Sequence, residues 1–204
     1  MSETQVIAVD LDGTFTLTDT LHESVLSLVQ NKPYLLLLLP FWLFQGIAYL
    51  KLKIAEYSEL DVTTLPYNQP LIDWLRKEKL KEKRIVLSTA ANEQVAQAIV
   101  NHFDLFDEFI ASDSKTNMKS SQKRNALQER YGDKAYDYVG NSNDDIEVWA
   151  GASHAIVVNA SSGVLKKASK VATVTRTFPS DRAGIAVWLK ALRVHQWLKN
   201  LLLF

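Results

Sequence analysis

The 204-residue chain has no cysteine. Disulfides and thiolate metal sites are therefore excluded, and the redox compartment cannot be read from thiols. Net charge is also missing, because 23 Lys and Arg balance 23 Asp and Glu. Nucleic-acid binding normally needs a basic field, so no nucleic-acid partner is expected. There is no internal repeat and no low-complexity linker. The first ten residues lack a basic start and carry Glu3 and Asp10, so no secretory signal is read and a cytoplasmic position is expected. What the chain does have is 47% hydrophobic residues, enough for the core of one ordinary domain with a small insertion.

Short apolar runs recur at Val6–Val9, Ile85–Leu87, Phe109–Ala111, Tyr138–Val139, Ala155–Val158 and Val171–Val174. Between most of them lie helical spacings: Leu71, Ile72, Leu75 and Leu80, then Val95, Ala96, Ile99 and Val100, then Ala126, Leu127 and Tyr131. This alternation predicts an α/β fold, a doubly wound parallel sheet covered on both faces. Ligands in such sheets bind at the carboxyl ends of the strands. Residues 1–19 and 67–180 are read as this core domain. The mixed-sign stretch "RKEKLKEKR", 76–84, reads as a solvated helix end.

Residues 20–66 interrupt the alternation with a segment too long for a simple connection. They read as a small helical cap inserted after the first strand. Within them "PYLLLLLPFWLFQGIAYL", 33–50, runs 18 positions without a charge. As a membrane span it is short and broken by Pro40. The expectation is a helical cap packed on the domain, with contact to a membrane surface as the second reading.

The chemistry begins at "VDLDGTFT", residues 9–16. Asp10 and Asp12 stand two apart at a strand end, where side chains point the same way. Like charges so placed raise each other's pKa unless a cation intervenes. Three further strand ends carry polar groups. "RIVLSTAAN" offers Thr89, or Ser88, and the backbone N–H groups that follow, beginning with Ala90. "NMKSSQKRNAL" offers Lys119, with Lys123 as the competing lysine. "YVGNSNDD" offers Asn141, Asp144 and Asp145, the last two of which could simply cap a helix.

This order of acid pair, hydroxyl, lysine and acid group resembles the haloacid dehalogenase (HAD) superfamily, across about residues 5–178. The second aspartate, two after the first, resembles its phosphatases and phosphomutases. The cap position resembles its phosphoserine-phosphatase-like members. The resemblance implies a Rossmann-like fold and an aspartyl-phosphate mechanism. Asp10 would be the nucleophile and Asp12 the acid and then the base. Thr89, Ala90 and Lys119 would hold the phosphoryl oxygens, Lys119 being favoured because "NMK" is similar to the pattern N-x-K. Mg²⁺ would be bound by Asp10, Asp12 through its backbone carbonyl, Asn141 and Asp145. Asn141 is the departure from the family's G-D-x-x-x-D, and its amide oxygen ligates without negative charge. A non-catalytic module and a phosphotransferase or mutase are the alternative readings.

The tail "LRVHQWLKNLLLF" resembles the opening of UbiA-type prenyltransferases. That resemblance implies that residues 181–204 begin a prenyltransferase membrane domain absent from this chain. It also implies a place at the inner face of the membrane and a small-molecule or lipid-linked phosphate as substrate.

Overall fold

The computed structural model describes residues 5–114 and 116–179; the tail 181–204, read above as the start of a membrane domain, lies outside them. Six strands, β1 (Val6–Val9), β2 (Arg84–Asn92), β3 (Glu108–Ser112), β4 (Asp137–Gly140), β5 (His154–Val158) and β6 (Thr173–Phe178), form one sheet in the order β3-β2-β1-β4-β5-β6. Every pairing is parallel. The order reverses beside β1, and at that switch point a crevice opens at the carboxyl ends of β1, β2 and β4.

Strand alternation builds the two faces of the core. Ile7 and Val9 pack with Leu71, Ile72 and Leu75 of α4 (Gln69–Lys79) and with Val95, Ala96 and Ile99 of α5 (Glu93–His102). Val6 and Ala8 face the opposite way, toward Leu127 of α6 (Ser121–Tyr131), Val148 and Trp149 of α7 (Ile146–Gly151), and Ala168 of α8 (Ser162–Val171). Full burial of Ile7, Ile85 or Leu87 contributes about 1.5–3 kcal/mol each.

Two local expectations are corrected. Leu80 does not continue the apolar stripe of α4: it is 86% exposed. The helix ends at Lys79, and Glu78 turns inward instead, paired with Lys81 and Lys83. The final strand is also later than its apolar run. Val171 is the last residue of α8, and β6 runs on to Phe178. As an edge strand, β6 leaves most of its side chains in water, so its apolar pattern is weak.

Between β1 and α4 the chain forms α1 (Thr20–Asn31), a tight turn over Pro33–Leu38, α2 (Leu39–Phe44) and α3 (Ile47–Tyr57). Asp19 caps α1 by accepting from the N–H groups of Leu21 and His22. Pro40 falls in the first turn of α2, where its missing N–H costs nothing. These helices enclose their own small core of Leu28, Leu35, Trp42 and Ile54, with Trp42 stacked on Tyr57. Among the described residues no helix is long and apolar enough to cross a membrane.

Candidate active site

A cleft of about 310 Å³ opens at the carboxyl ends of β1, β2 and β4. Asp10, Asp12, Ala90, Lys119, Lys123, Asn141, Asp144 and Asp145 all line it, with Thr20, Ser24 and Lys51 on the cap side.

Asp10 is placed by the sheet. Its backbone N–H donates to the Val139 carbonyl at 2.9 Å, stitching the end of β1 to β4. The chain then turns sharply, with the Phe15 N–H donating to the Asp10 carbonyl and Thr16 N–H to that of Leu11. Gly13 makes the turn possible. Its φ is +73°, and an added Cβ would stand 2.2 Å from the Asn141 amide nitrogen. The first and fourth strand-end loops therefore touch at a point where no side chain fits.

The two acids share the cleft but have different partners. Asp10 Oδ1 accepts from Lys123 Nζ at 2.6 Å, and Oδ2 accepts from the Thr14 hydroxyl at 3.2 Å. Burial pushes the Asp10 carboxyl up to about 7, against the opposing pull of Lys123 and with Asp145 adding to the rise. Asp12 Oδ1 accepts from both the backbone N–H and the hydroxyl of Thr20, at 2.7 and 2.8 Å. The start of α1 thus anchors it. Burial raises its pKa and the Thr20 bonds oppose that rise.

Lys123 sits in the first turn of α6 and is 4% exposed. It also donates to the Tyr138 hydroxyl at 2.9 Å. Burial works against its charge, but the Asp10 and Asp145 carboxylates outweigh this and raise its pKa. Tyr138 in turn donates to Asp145 Oδ1 at 2.8 Å. Asp145 Oδ2 accepts from the N–H groups of Asn141 and Ser142 and from the Ser142 hydroxyl. A side chain at Gly140 would collide with Asp145, its Cβ 2.6 Å from the carboxyl carbon. Asp145 therefore holds the loop after β4 in shape, and the reciprocal Ser142–Asp145 bonds start the turn into α7.

Two sequence assignments need correction. The lysine on Asp10 is Lys123, not Lys119. Lys119 lies at the rim, half exposed and paired with Asp144 at 3.0 Å. The N-x-K pattern placed it just ahead of α6, but the first helical turn swings the later lysine inward. The hydroxyl beside Asp10 belongs to Ser88. Val9 pairs with Leu87, so Asp10 and Ser88 are the next residues on adjacent strands. The Ser88 hydroxyl is buried without a hydrogen-bond partner among the described residues. Neither hydroxyl lines the cleft itself; that of Thr89 is engaged, accepting from the Ala91 N–H at 2.9 Å. Parity decides this, since neighbouring strand residues face opposite ways. β2 continues past Thr89 to Asn92, which caps α5.

One cleft residue had no sequence signal beyond flanking an apolar run. Lys51 of α3 donates to the Ala90 carbonyl at 2.6 Å and to Asn117 Oδ1 at 3.0 Å, tying the inserted helices to the core across the cleft. Burial lowers its pKa, with Asp12 and Asp19 opposing.

The fold is shared with solved structures. The chain superposes on apo phosphoserine phosphatase with a TM-score of 0.59 at 12% identity, covering 86% of this chain and 94% of that one. It matches the HAD family hydrolase t0658 of Salmonella enterica serovar Typhi with a TM-score of 0.60 at 13% identity, covering 86% and 67%. A phospho-aspartyl intermediate analogue of phosphoserine phosphatase gives 0.58 at 13% identity, covering 87% and 94%. The fold is that of the HAD phosphatases. By sequence, the chain is 32% identical over 197 residues to the uncharacterized protein y4nM of Sinorhizobium fredii (strain NBRC 101917 / NGR234). The match covers 96% of this chain and only 38% of y4nM. No protein-family model matches the chain.

Among the described residues no group of three or more His, Cys, Asp and Glu side chains forms a metal cage. Mg²⁺ does not require one, because it is usually held by one or two carboxylates with waters and substrate phosphate completing the shell. Asp10 would supply the carboxylate, and Asn141 an amide from the loop that Gly13 contacts. This oxygen donor set fits a hard divalent cation. Asp145 is committed to the loop, the Tyr138 hydroxyl and the Ser142 groups, and so stands behind such a site.

Proposed function

We propose that this chain is a Mg²⁺-dependent phosphoric monoester hydrolase working through an aspartyl-phosphate on Asp10. The observation that carries this reading is Asp10 itself: a buried carboxylate at the switch point, bonded to a buried lysine and sharing its cleft with a second, anchored acid. In the first step an Asp10 oxygen attacks phosphorus and the ester P–O bond breaks. Asp12 gives its proton to the departing alkoxide. In the second step Asp12 takes a proton from water as that water attacks phosphorus, releasing phosphate and restoring Asp10. Both anchoring bonds to Asp12 fall on Oδ1, which leaves Oδ2 for proton exchange. Lys123 and the backbone after Thr89 would stabilise charge on the phosphoryl oxygens, with the buried Ser88 hydroxyl on the same face of the sheet as Asp10. Asp10, the Asp12 carbonyl and Asn141 would hold the Mg²⁺, whose positive charge lowers the repulsion between carboxylate and phosphate.

The direct test is phosphate release from p-nitrophenyl phosphate. Turnover is expected with Mg²⁺ and is expected to disappear with EDTA and return on adding Mg²⁺. Undiminished turnover in EDTA would remove the cation from the reading.

Asn141 favours a second reading, a non-catalytic module that positions or regulates a larger protein. A neutral ligand binds Mg²⁺ more weakly than a carboxylate. Asn141→Asp separates the two. For a working enzyme it lowers the Mg²⁺ concentration giving half-maximal turnover by roughly tenfold; no turnover in either form supports the module. The substrate is proposed to be a small or prenyl-linked phosphate monoester, and the chain the phosphatase part of a longer protein. Its coverage of 38% of y4nM supports the latter.

A further inference from the structure

The inserted helices carry a second hollow that the phosphoryl chemistry does not use. It measures about 740 Å³ and is lined by Leu21, Val25, Leu26, Leu36, Leu39, Pro40, Leu43, Leu50 and Ile54, with His22 the one polar side chain. Leu21 and Ile54 line both this groove and the Asp10 cleft. The two hollows thus adjoin at aliphatic side chains of α1 and α3. Those helices are two-sided: Thr20, Ser24 and Lys51 face the cleft, while Val25, Leu26 and Leu50 face the groove.

We propose that the groove holds the aliphatic tail of the substrate, whose phosphate end lies at Asp10. The proposal rests on the hydrolase reading above and narrows it to one class, phosphate monoesters of long-chain alcohols. Adjacency decides the occupant. A groove meant for a docking protein has no need to border the phosphoryl cleft, whereas an amphipathic ester requires a charged chamber and an apolar one side by side. The groove's own lining is partly open to water, with Leu26 53% and Leu43 52% exposed. Such a patch is unusual on a surface with no hydrophobic ligand.

Binding of alkylphosphonates from methyl to decyl, measured by titration calorimetry below their micelle concentrations with Mg²⁺ present, tests this without requiring turnover. Affinity is expected to rise about threefold to fourfold per added methylene until the groove is filled. Leu26→Lys with Leu43→Lys changes two side chains that are already half exposed, so the fold tolerates it. The double variant is expected to flatten the series while methylphosphonate binding and p-nitrophenyl phosphate turnover stay unchanged. A flat series in the native chain, or a rising one that survives in the double variant, overturns the tail site. A flat series from a native dimer that the double variant dissociates also overturns it, by assigning the groove to a second copy. A rising series with no hydrolysis of p-nitrophenyl phosphate upholds the tail site and removes the hydrolase reading. Hydrolysis with a flat series does the reverse.

Discussion

Asp10→Asn is expected to reduce Mg²⁺-dependent turnover of p-nitrophenyl phosphate by at least about 10⁴-fold, leaving a folded chain. A nucleophile that forms the covalent intermediate has no substitute within the site, and comparable removals cost about 10⁶ in kcat. The amide is a poor nucleophile, yet its oxygen can still accept from Lys123 and its volume is that of the carboxyl group, so packing around β1 is kept. A second readout separates chemistry from folding. Acid-quenched enzyme incubated with labelled substrate should carry a base-labile phosphoryl group in the native chain and none in the variant. Equal labelling would place the covalent step on another residue. Equal turnover would remove Asp10 from the mechanism.

Lys123→Met is expected to lower turnover by about 10²–10³-fold and to cost about 3–5 kcal/mol of stability. Methionine fills a similar volume, so the loss is electrostatic. Without the ammonium, Asp10 and Asp145 stay buried with no cation near them; Lys123 Nζ stands 2.6 Å from the first and 4.0 Å from the second. The sign follows from Asp10. Its folded pKa of about 7 lies above the 3.8 of the free group. Its ionisation therefore works against folding, and the stability it leaves falls as pH rises from about 4 to 7. Removing Lys123 pushes this window further up and leaves the nucleophile protonated at neutral pH. Urea unfolding at pH 5 and pH 8 should show the variant losing more stability at the higher pH. Lys119→Met is the control. Its ammonium is half exposed and pairs with an exposed Asp144, so a change within about 0.5 kcal/mol is expected. The opposite ranking of the two lysines would return the phosphoryl contact to Lys119.

The parallel sheet was legible because buried strands leave continuous apolar runs. Five of the six runs fall within observed strands. The run that straddles the end of α8 and the start of β6 marks the limit, because an edge strand in water has no need of an apolar pattern. The apolar stretch 33–50 was ambiguous for a similar reason. Leucine density says that a segment avoids water; it does not say whether lipid, a core or a ligand takes water's place. In the fold, Leu35 and Trp42 turn inward while Leu37 and Phe44 stay outside.

The site divides along the same line. Asp10, Asp12, Asn141 and Asp145 stand out in one dimension because a strand end followed by a glycine turn is a local feature. All four reach the cleft. Lysine and hydroxyl choices were different. Lys119 and Lys123 are four apart around the start of a helix, and Ser88 and Thr89 are adjacent on a strand. Helix phase selects the first pair and strand parity the second, and neither can be read without the neighbours that set them. Lys51 is more remote still: it meets the cleft only because α3 folds back over the end of β2.

Local order along the chain thus determined a doubly wound sheet and the acids at its strand tips, since backbone geometry and burial act over a few residues. Tertiary structure alone decided which lysine neutralises Asp10, which hydroxyl faces it and which apolar wall adjoins the cleft. Those are relations between side chains far apart in sequence, and only strand pairing and the packing of helices on the sheet bring them together.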